Sequence, residues 1–229
     1  MDDTLVLWET PIQTVWESAI NRFKSELNGL DPAVLWKAIR ATADWYWSDP
    51  ERNLLGRLDL PKARRELAGL AFTSLGRNDF ELAVKIADAY SGERDQGGTL
   101  APRAIATLDG LRKRGLRLGL ITNGGAGIQR AKIQRFGLAP FFDNILIEGE
   151  FGCGKPDEHV FRHTLEKLKV PPSAAWMVGD NLDFDIAPCR ALGIYSLWVD
   201  GKGDGLPASN GVRPDNIIRR ITEIPDLLS

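Results

Sequence analysis

From Gly97 to the C-terminus, short apolar runs alternate with amphipathic stretches, and this alternation constrains the fold more than any other feature of the chain. The spacing predicts a helix from Pro102 to Arg114, ended by Gly115, and then a strand from Leu116 to Ile121 that stops at Thr122-Asn123-Gly124-Gly125. A helix to Phe136, with Gly137 at its C-terminal cap, precedes a strand from Asn144 to Ile147. There follow a loop ending in Lys155-Pro156-Asp157, a helix to Leu168, a strand closing at Gly179, a helix to Leu192 and a strand from Ile194 to Val199. Such βαβ succession predicts an α/β fold with a parallel, doubly wound sheet. The Gly/Asp/Asn-rich stretch 200–216 reads as a loop, and the tail to Ser229 as one short strand and a helix.

Residues 10–92 carry no strand signal. Thr10-Pro11 reads as a helix start, with Val15, Ala19, Ile20, Phe23 and Leu27 at helical spacing until Asn28-Gly29. A second helix starts at Asp31-Pro32 and is broken by Ser48-Asp49-Pro50; others are expected from about Pro61 to Leu75 and from about Asp79 to Tyr90. The expected organisation is therefore an α/β core, residues 1–9 and 93–229, with an all-helical insert at 10–92. Trp16, Trp36, Trp45, Tyr46 and Trp47 read as core and interface filling rather than a ligand box. Arg52, Arg57, Arg64 and Arg65 read as solvated helix-surface cations, with reception of an anionic substrate as the alternative.

The 229 residues suffice for one sizeable core and a smaller unit, and a net charge of −2 without basic blocks argues against nucleic-acid binding. Cys153 and Cys189 form no disulfide framework, which suits a reducing compartment. The acidic start and the lack of any apolar run of about 18 residues predict a cytoplasmic chain without a membrane span.

Chemistry concentrates in Trp176-Met177-Val178-Gly179-Asp180-Asn181-Leu182-Asp183-Phe184-Asp185-Ile186. A buried strand here delivers carboxylates to its C-terminal edge, where open α/β sheets bind ligands. Two carboxylates about 4 Å apart repel by about 4 kcal/mol at an effective dielectric near 20, so a cluster as dense as Asp180, Asp183 and Asp185 asks for a cation or a proton. Mg²⁺ suits such hard oxygen ligands. The plainer alternative is a polar turn in which Asp183 caps a helix beginning near Asp185. Thr122 ends a strand before a glycine turn and a helix, where a hydroxyl and backbone N–H groups can cradle phosphate; alternatively it is an N-cap. Lys155 can neutralise phosphate or crowded carboxylates, or is a solvated loop lysine. His159 and His163 stand at i and i+4 without an HExxH frame or a third ligand, which argues against a metal there.

In order along the chain, Asp2-x-Thr4, a strand ending Thr122-Asn123-Gly124, Gly154-Lys155-Pro156-Asp157 and Gly179-Asp180-Asn181 followed by Asp185 resemble the haloacid dehalogenase-like (HAD) hydrolase superfamily. The resemblance covers nearly the whole chain. It implies a Rossmann-like core, with the helical insert as the family's cap, which excludes water and selects the substrate. It further implies a Mg²⁺-dependent phosphatase acting on a small phosphorylated metabolite through an aspartyl-phosphate. Position by position, Asp2 matches the general acid/base and a metal ligand through its carbonyl, and Thr4 closes the motif. Thr122, Asn123 and Gly124 match the phosphate-binding turn, with Asn123 contributing its backbone N–H. Lys155 matches the family's lysine, and Asp180 with Asp185 its metal-holding acids.

The chain departs from the family at its first motif, DxDxT, where Met1 falls on the first x. The nucleophilic aspartate is expected one position upstream of Met1, behind an apolar first strand, so the chain 1–229 is expected to be nearly inactive. Two other readings stay open, a non-catalytic chain and one in which Thr4-Leu5-Val6-Leu7-Trp8 takes the strand position. Rival functions are 2-haloacid dehalogenation, which needs no metal, a phospho-accepting receiver, and a binding or regulatory protein on the same fold.

Overall fold

The computed structural model describes residues 1–208 and 211–228. Ser209 and Asn210 of the expected loop, and Ser229 of the expected tail, lie outside the described residues. Two units divide the chain: Trp8–Gly98, and Met1–Leu7 together with Thr99–Ser229. The latter opens with a two-residue strand, β1 (Val6–Leu7).

Trp8–Gly98 holds five α-helices: α1 (Ile12–Arg22), α2 (Pro32–Ser48), α3 (Pro50–Leu58), α4 (Leu60–Ser74) and α5 (Phe80–Gln96). Aspartate starts four of them. Asp31, Asp49, Asp59 and Asp79 accept from the N–H groups of Ala33, Arg52, Lys62 and Leu82 at 2.8, 2.8, 3.1 and 3.2 Å, each cap contributing about 1 kcal/mol. Thr10 caps nothing; α1 begins at Ile12 behind Pro11. Asp49-Pro50 both ends α2 and starts α3, a helix the periodicity did not reveal. A Cβ at Gly56 of α3 would lie 2.8 Å from Tyr46 Cε1, so glycine is needed for the approach of α3 to α2. Trp16 and Tyr90 stack at 3.9 Å within a core that also buries Leu35, Ile39, Phe72 and Ile86. Trp36 and Tyr46 are buried as expected, whereas Trp45 is half exposed beneath the Arg52 guanidinium. Arg64 pairs with Asp95 and Arg65 with Asp88.

In the other unit β2 (Thr99–Leu100) pairs antiparallel with β1. Then come α6 (Ala104–Lys113), β3 (Gly119–Thr122), α7 (Ala126–Arg135), β4 (Asn144–Ile147), α8 (Glu148–Phe151), α9 (Glu158–Leu168), β5 (Trp176–Gly179), α10 (Ala187–Leu192), β6 (Tyr195–Val199), β7 (Asn216–Ile218) and α11 (Ile224–Leu227). Leu116 to Leu118 fall short of the strand. Leu118 is held instead by Asp143, whose carboxylate accepts its N–H at 2.8 Å. β3 pairs in parallel with β4, from Gly119 opposite Asn144 to Thr122 opposite Ile147; β5, β6 and β7 form a second parallel ladder. Helix α9 packs on β3 so closely that a Cβ at Gly119 would lie 2.7 Å from Thr164 Cγ2. Among the described residues no helix is long and apolar enough to cross a membrane.

The two parallel ladders are not joined: among the described residues no backbone hydrogen bond links β3 to β5. A cavity of about 400 Å³ lies along both strands.

Candidate active site

The strand ends bring the motif residues together. Thr122 closes β3 and is buried; its Oγ1 lies 2.8 Å from Gln129 Nε2. Gln129, one turn into α7, also donates to Asp2 Oδ2 at 3.0 Å and to the carbonyl of Asn123. Lys132, three residues on and so on the same face of α7, places its Nζ 2.8 Å from Asp2 Oδ1. Gln129 and Lys132 thus hold the Asp2 carboxylate on α7. Neither was singled out in the sequence, although a buried glutamine on the inner face of an amphipathic helix is itself a signal, because burial requires partners.

Burial on its own would raise the Asp2 carboxyl. Lys132, the terminal ammonium and the hydrogen bonds from Gln129 and Lys132 outweigh it and hold the carboxyl below its ordinary value.

Lys155 is not a solvated loop residue. Its Nζ lies 2.6 Å from Asp185 Oδ1, with both side chains buried. Asp185 Oδ1 makes no well-directed hydrogen bond, so this contact is an ion pair off the hydrogen-bond line. Asp185 Oδ2 accepts the Asn181 N–H at 3.1 Å. Gly179 is required here, since a Cβ on it would lie within 2.7 Å of Asp185 Cβ and closer to the carboxylate.

Asn123 works through its side chain. Its Nδ2 donates to the Lys155 carbonyl at 2.7 Å and its Oδ1 accepts the Lys155 N–H at 2.8 Å. This two-pronged clamp ties the loop after β3 to the loop before α9. The Gly124 N–H is likewise committed, donating at 2.8 Å to the buried Glu148 carboxylate. The expectation that Asn123 and Gly124 offer backbone donors to a ligand is therefore corrected for Gly124, whose N–H already has an anionic acceptor.

Asp180 Oδ1 accepts from Thr4 Oγ1 at 3.0 Å, which joins the chain's first turn to the end of β5, and the Asp180 carbonyl accepts from Trp198 Nε1 at 2.7 Å. Burial and then the like charge of Asp185 push the Asp180 carboxyl above its ordinary value, against the Met1 ammonium and Thr4. The helix cap expected of Asp183 is made by Asn181, whose Oδ1 accepts the N–H groups of Asp183 and Phe184. His159 is exposed and bonded to Asp157, and His163 packs on Phe151. Cys189, its thiol pushed up to about 12 by burial and then by Asp185, is no nucleophile at neutral pH.

Among the described residues no group of three or more His, Cys, Asp or Glu side chains is arranged to hold a metal ion. Two adjacent carboxylates are nonetheless what Mg²⁺ takes from a protein, because it keeps several waters and adds substrate oxygens. The Asp180 carboxyl is raised by burial first and by the charge of Asp185 second, so a cation placed between the two carboxylates would relieve both. Asp180 and Asp185 therefore fit a hard divalent cation. The Asp2 carboxylate, turned to Lys132 and Gln129, does not face it.

The α/β core thus gathers an acid pair, a lysine and a threonine near the C-terminal ends of β3 and β5. Residues 1–193 match the haloacid dehalogenase-like hydrolases, and the chain belongs to that family. It is 41% identical over 136 residues to a phosphoserine phosphatase of Thermus thermophilus, covering 59% of this chain and 51% of that protein. With an N-acylneuraminate-9-phosphatase of Rattus norvegicus it shares 33% over 157 residues, 68% of this chain and 62% of the relative. The chain spans about half the length of the first of these relatives and under two thirds of the second. Among solved structures, a 2-haloacid dehalogenase from Pseudomonas syringae matches with 30% identity and a TM-score of 0.63 over 99% of this chain and 95% of that one. An HAD phosphatase from Thermococcus onnurineus matches with 23% identity and a TM-score of 0.65 over 100% and 95%, a likeness of fold.

Proposed function

We propose that the complete protein is a cytoplasmic, Mg²⁺-dependent phosphatase that hydrolyses a small phosphomonoester through an aspartyl-phosphate. The observation that carries this reading is the buried Lys155–Asp185 ion pair beside Asp180, whose carboxyl is raised by burial and by Asp185, just past the end of β5. Phosphoryl transfer depends chiefly on positioning and on neutralising charge. Lys155 and the Thr122 hydroxyl bind phosphoryl oxygens, and Asn123 fixes Lys155 in place. Asp180 and Asp185 hold Mg²⁺, which when bound neutralises charge building on the phosphoryl group.

The attacking carboxylate is proposed to belong to the residue preceding Met1. Its oxygen bonds to phosphorus as the P–O ester bond breaks, and the Asp2 carboxylic acid gives its proton to the departing alkoxide. The Asp2 carboxylate then takes a proton from water as that water attacks phosphorus, releasing phosphate and freeing the first carboxylate. Resting Asp2, held ionised by Lys132, is suited to the second step; to serve the first it must leave Lys132 and gain a proton.

The rival with an observation behind it is 2-haloacid dehalogenation, given the 30% identity to such an enzyme. It leaves the acid pair at Asp180 and Asp185 without a task. Appending an apolar segment that ends in aspartate to Met1, and assaying release of phosphate and of halide with Mg²⁺ or EDTA, separates the two. Phosphate release abolished by EDTA is expected, with the chain 1–229 slower by on the order of 10⁵ or more, as for loss of a nucleophile elsewhere. Halide release that survives EDTA would reverse the assignment.

A further inference from the structure

We propose that Trp198 is the positioning residue of the acid pair. Its indole N–H, acting through the Asp180–Asn181 peptide, sets where the Asp180 and Asp185 carboxylates stand to take up a divalent cation, a role that rests on the Mg²⁺ reading of that pair.

Trp198 stands on β6 opposite Gly179, the last residue of β5. Its Nε1 donates to the Asp180 carbonyl at 2.7 Å. The same peptide unit carries the Asn181 N–H, which donates to Asp185 Oδ2 at 3.1 Å. This peptide is planar and trans, so its C=O and N–H point in opposite directions and fixing one fixes the other. One indole therefore aims the donor that Asp185 accepts. A donor on the carbonyl also polarises the peptide and strengthens its N–H. Bulk alone would be served by phenylalanine, which brings no N–H that burial obliges to find an acceptor.

Packing adds a second hold. Trp198 is buried with Leu182 and Ile186, the first and last residues of the helical turn that carries Asp185. Leu206 and Val212, from the Gly/Asp-rich stretch after β6, pack against the same cluster. Asp200, two residues past Trp198, draws the start of that stretch inward. Its buried carboxylate accepts the N–H groups of Gly203, Asp204 and Gly205 at 2.8, 3.2 and 2.9 Å. Residues with no part in the phosphoryl chemistry thus seat the indole that holds the acid pair.

The test titrates MgCl₂ into the chain 1–229 and follows its proton–nitrogen NMR spectra, with Trp198→Phe removing the N–H and keeping an aromatic ring. Ile218→Val, on β7 beyond β6, is the control for lost packing alone. In the parent, the Trp198 indole signal and the Asn181 amide signal are expected to shift together along one Mg²⁺ binding curve. Trp198→Phe should move the Asn181 amide upfield before any metal is added. It should also weaken Mg²⁺ binding by about tenfold or more, as for residues that orient metal ligands elsewhere. Ile218→Val should do neither, whatever it costs in Tm. Mg²⁺ bound by Trp198→Phe as tightly as by the parent overturns the proposal, and so does equal weakening in Ile218→Val. If Trp198→Phe does not fold, the parent decides: an indole signal unmoved at saturating Mg²⁺ overturns the proposal, and one that tracks Asn181 upholds it. No Mg²⁺ binding by the parent would count against the Mg²⁺ reading instead. The metal-free spectra then decide the placement alone, upheld if Trp198→Phe displaces the Asn181 amide and overturned if it does not.

Discussion

Lys155 Nζ sits 2.6 Å from Asp185 Oδ1, and the two side chains are only 9% and 4% exposed. A buried pair of this kind adds little over an apolar pair, but removing one partner strands the other. Lys155→Met is therefore expected to destabilise the chain by about 3–5 kcal/mol, while Lys155→Met with Asp185→Asn loses much less than the sum of the two single changes. Urea denaturation of the four proteins in the cycle measures the coupling. Additive losses would show that the pair does not hold the site together.

Asn123 is the second support of that lysine. Asn123→Ala removes both hydrogen bonds to the Lys155 backbone, leaves a buried donor and acceptor without partners, and is expected to lose about 1–3 kcal/mol. Asn123→Asp keeps an acceptor for the Lys155 N–H but sets a carboxylate oxygen against the Lys155 carbonyl, so it should lose at least as much. In the enzyme carrying its attacking carboxylate, Asn123→Ala should raise KM more than it lowers kcat if Asn123 acts by placing Lys155 on the bound phosphoryl group. An unchanged KM with normal stability contradicts the clamp.

Asp180 pulls the other way. Its carboxyl lies above the ordinary value because burial and Asp185 disfavour the charge. The folded protein thus binds a proton that the unfolded chain has already released, so this group's contribution is full below the unfolded pKa and is lost as pH rises through the folded one. Asp180→Asn should raise stability at pH 7 and flatten its decline with pH above the acid range. Mg²⁺ should stabilise the parent chain by about 2.7 kcal/mol at one hundred times its Kd and leave Asp180→Asn unmoved. Thermal unfolding with and without Mg²⁺ and EDTA reads both effects.

Much of the α/β unit could be read from spacing, because its strands are short apolar runs bounded by glycine and its site residues sit where those runs end. Thr122 and Asp180 were visible for that reason, and Lys155 and Asp185 by their place in the ordered motifs that follow those strands. Gln129 and Lys132 were not: a glutamine and a lysine in an ordinary amphipathic helix look like surface residues until the fold turns that face toward Asp2. Helix α3 stayed hidden because Asp49-Pro50 signals a stop and a start with the same two residues, and Gly56 interrupts its periodicity. The side-chain role of Asn123 depends on Lys155, 32 positions away, which no local pattern reveals.

Lys132 gives the sharpest test of how Asp2 is set. The Asp2 carboxyl lies below its ordinary value although burial opposes this, with Lys132 the largest of the groups that lower it. Lys132→Met keeps the bulk of the side chain and removes the charge, so burial weighs more and the Asp2 midpoint should rise. The sign for stability follows. With a depressed carboxyl, the parent chain's gain from Asp2 is present above the unfolded value and is lost as pH falls through the folded one; in Lys132→Met that gain shrinks or reverses. Carboxyl titration by carbon-detected NMR measures the midpoint, and Asp2→Asn identifies its signal. In the active enzyme the acidic limb of the pH–rate profile should move up with it, since the base form of Asp2 then appears at higher pH. An Asp2 midpoint that stays put in Lys132→Met would mean that Gln129 and the chain terminus hold the carboxylate unaided.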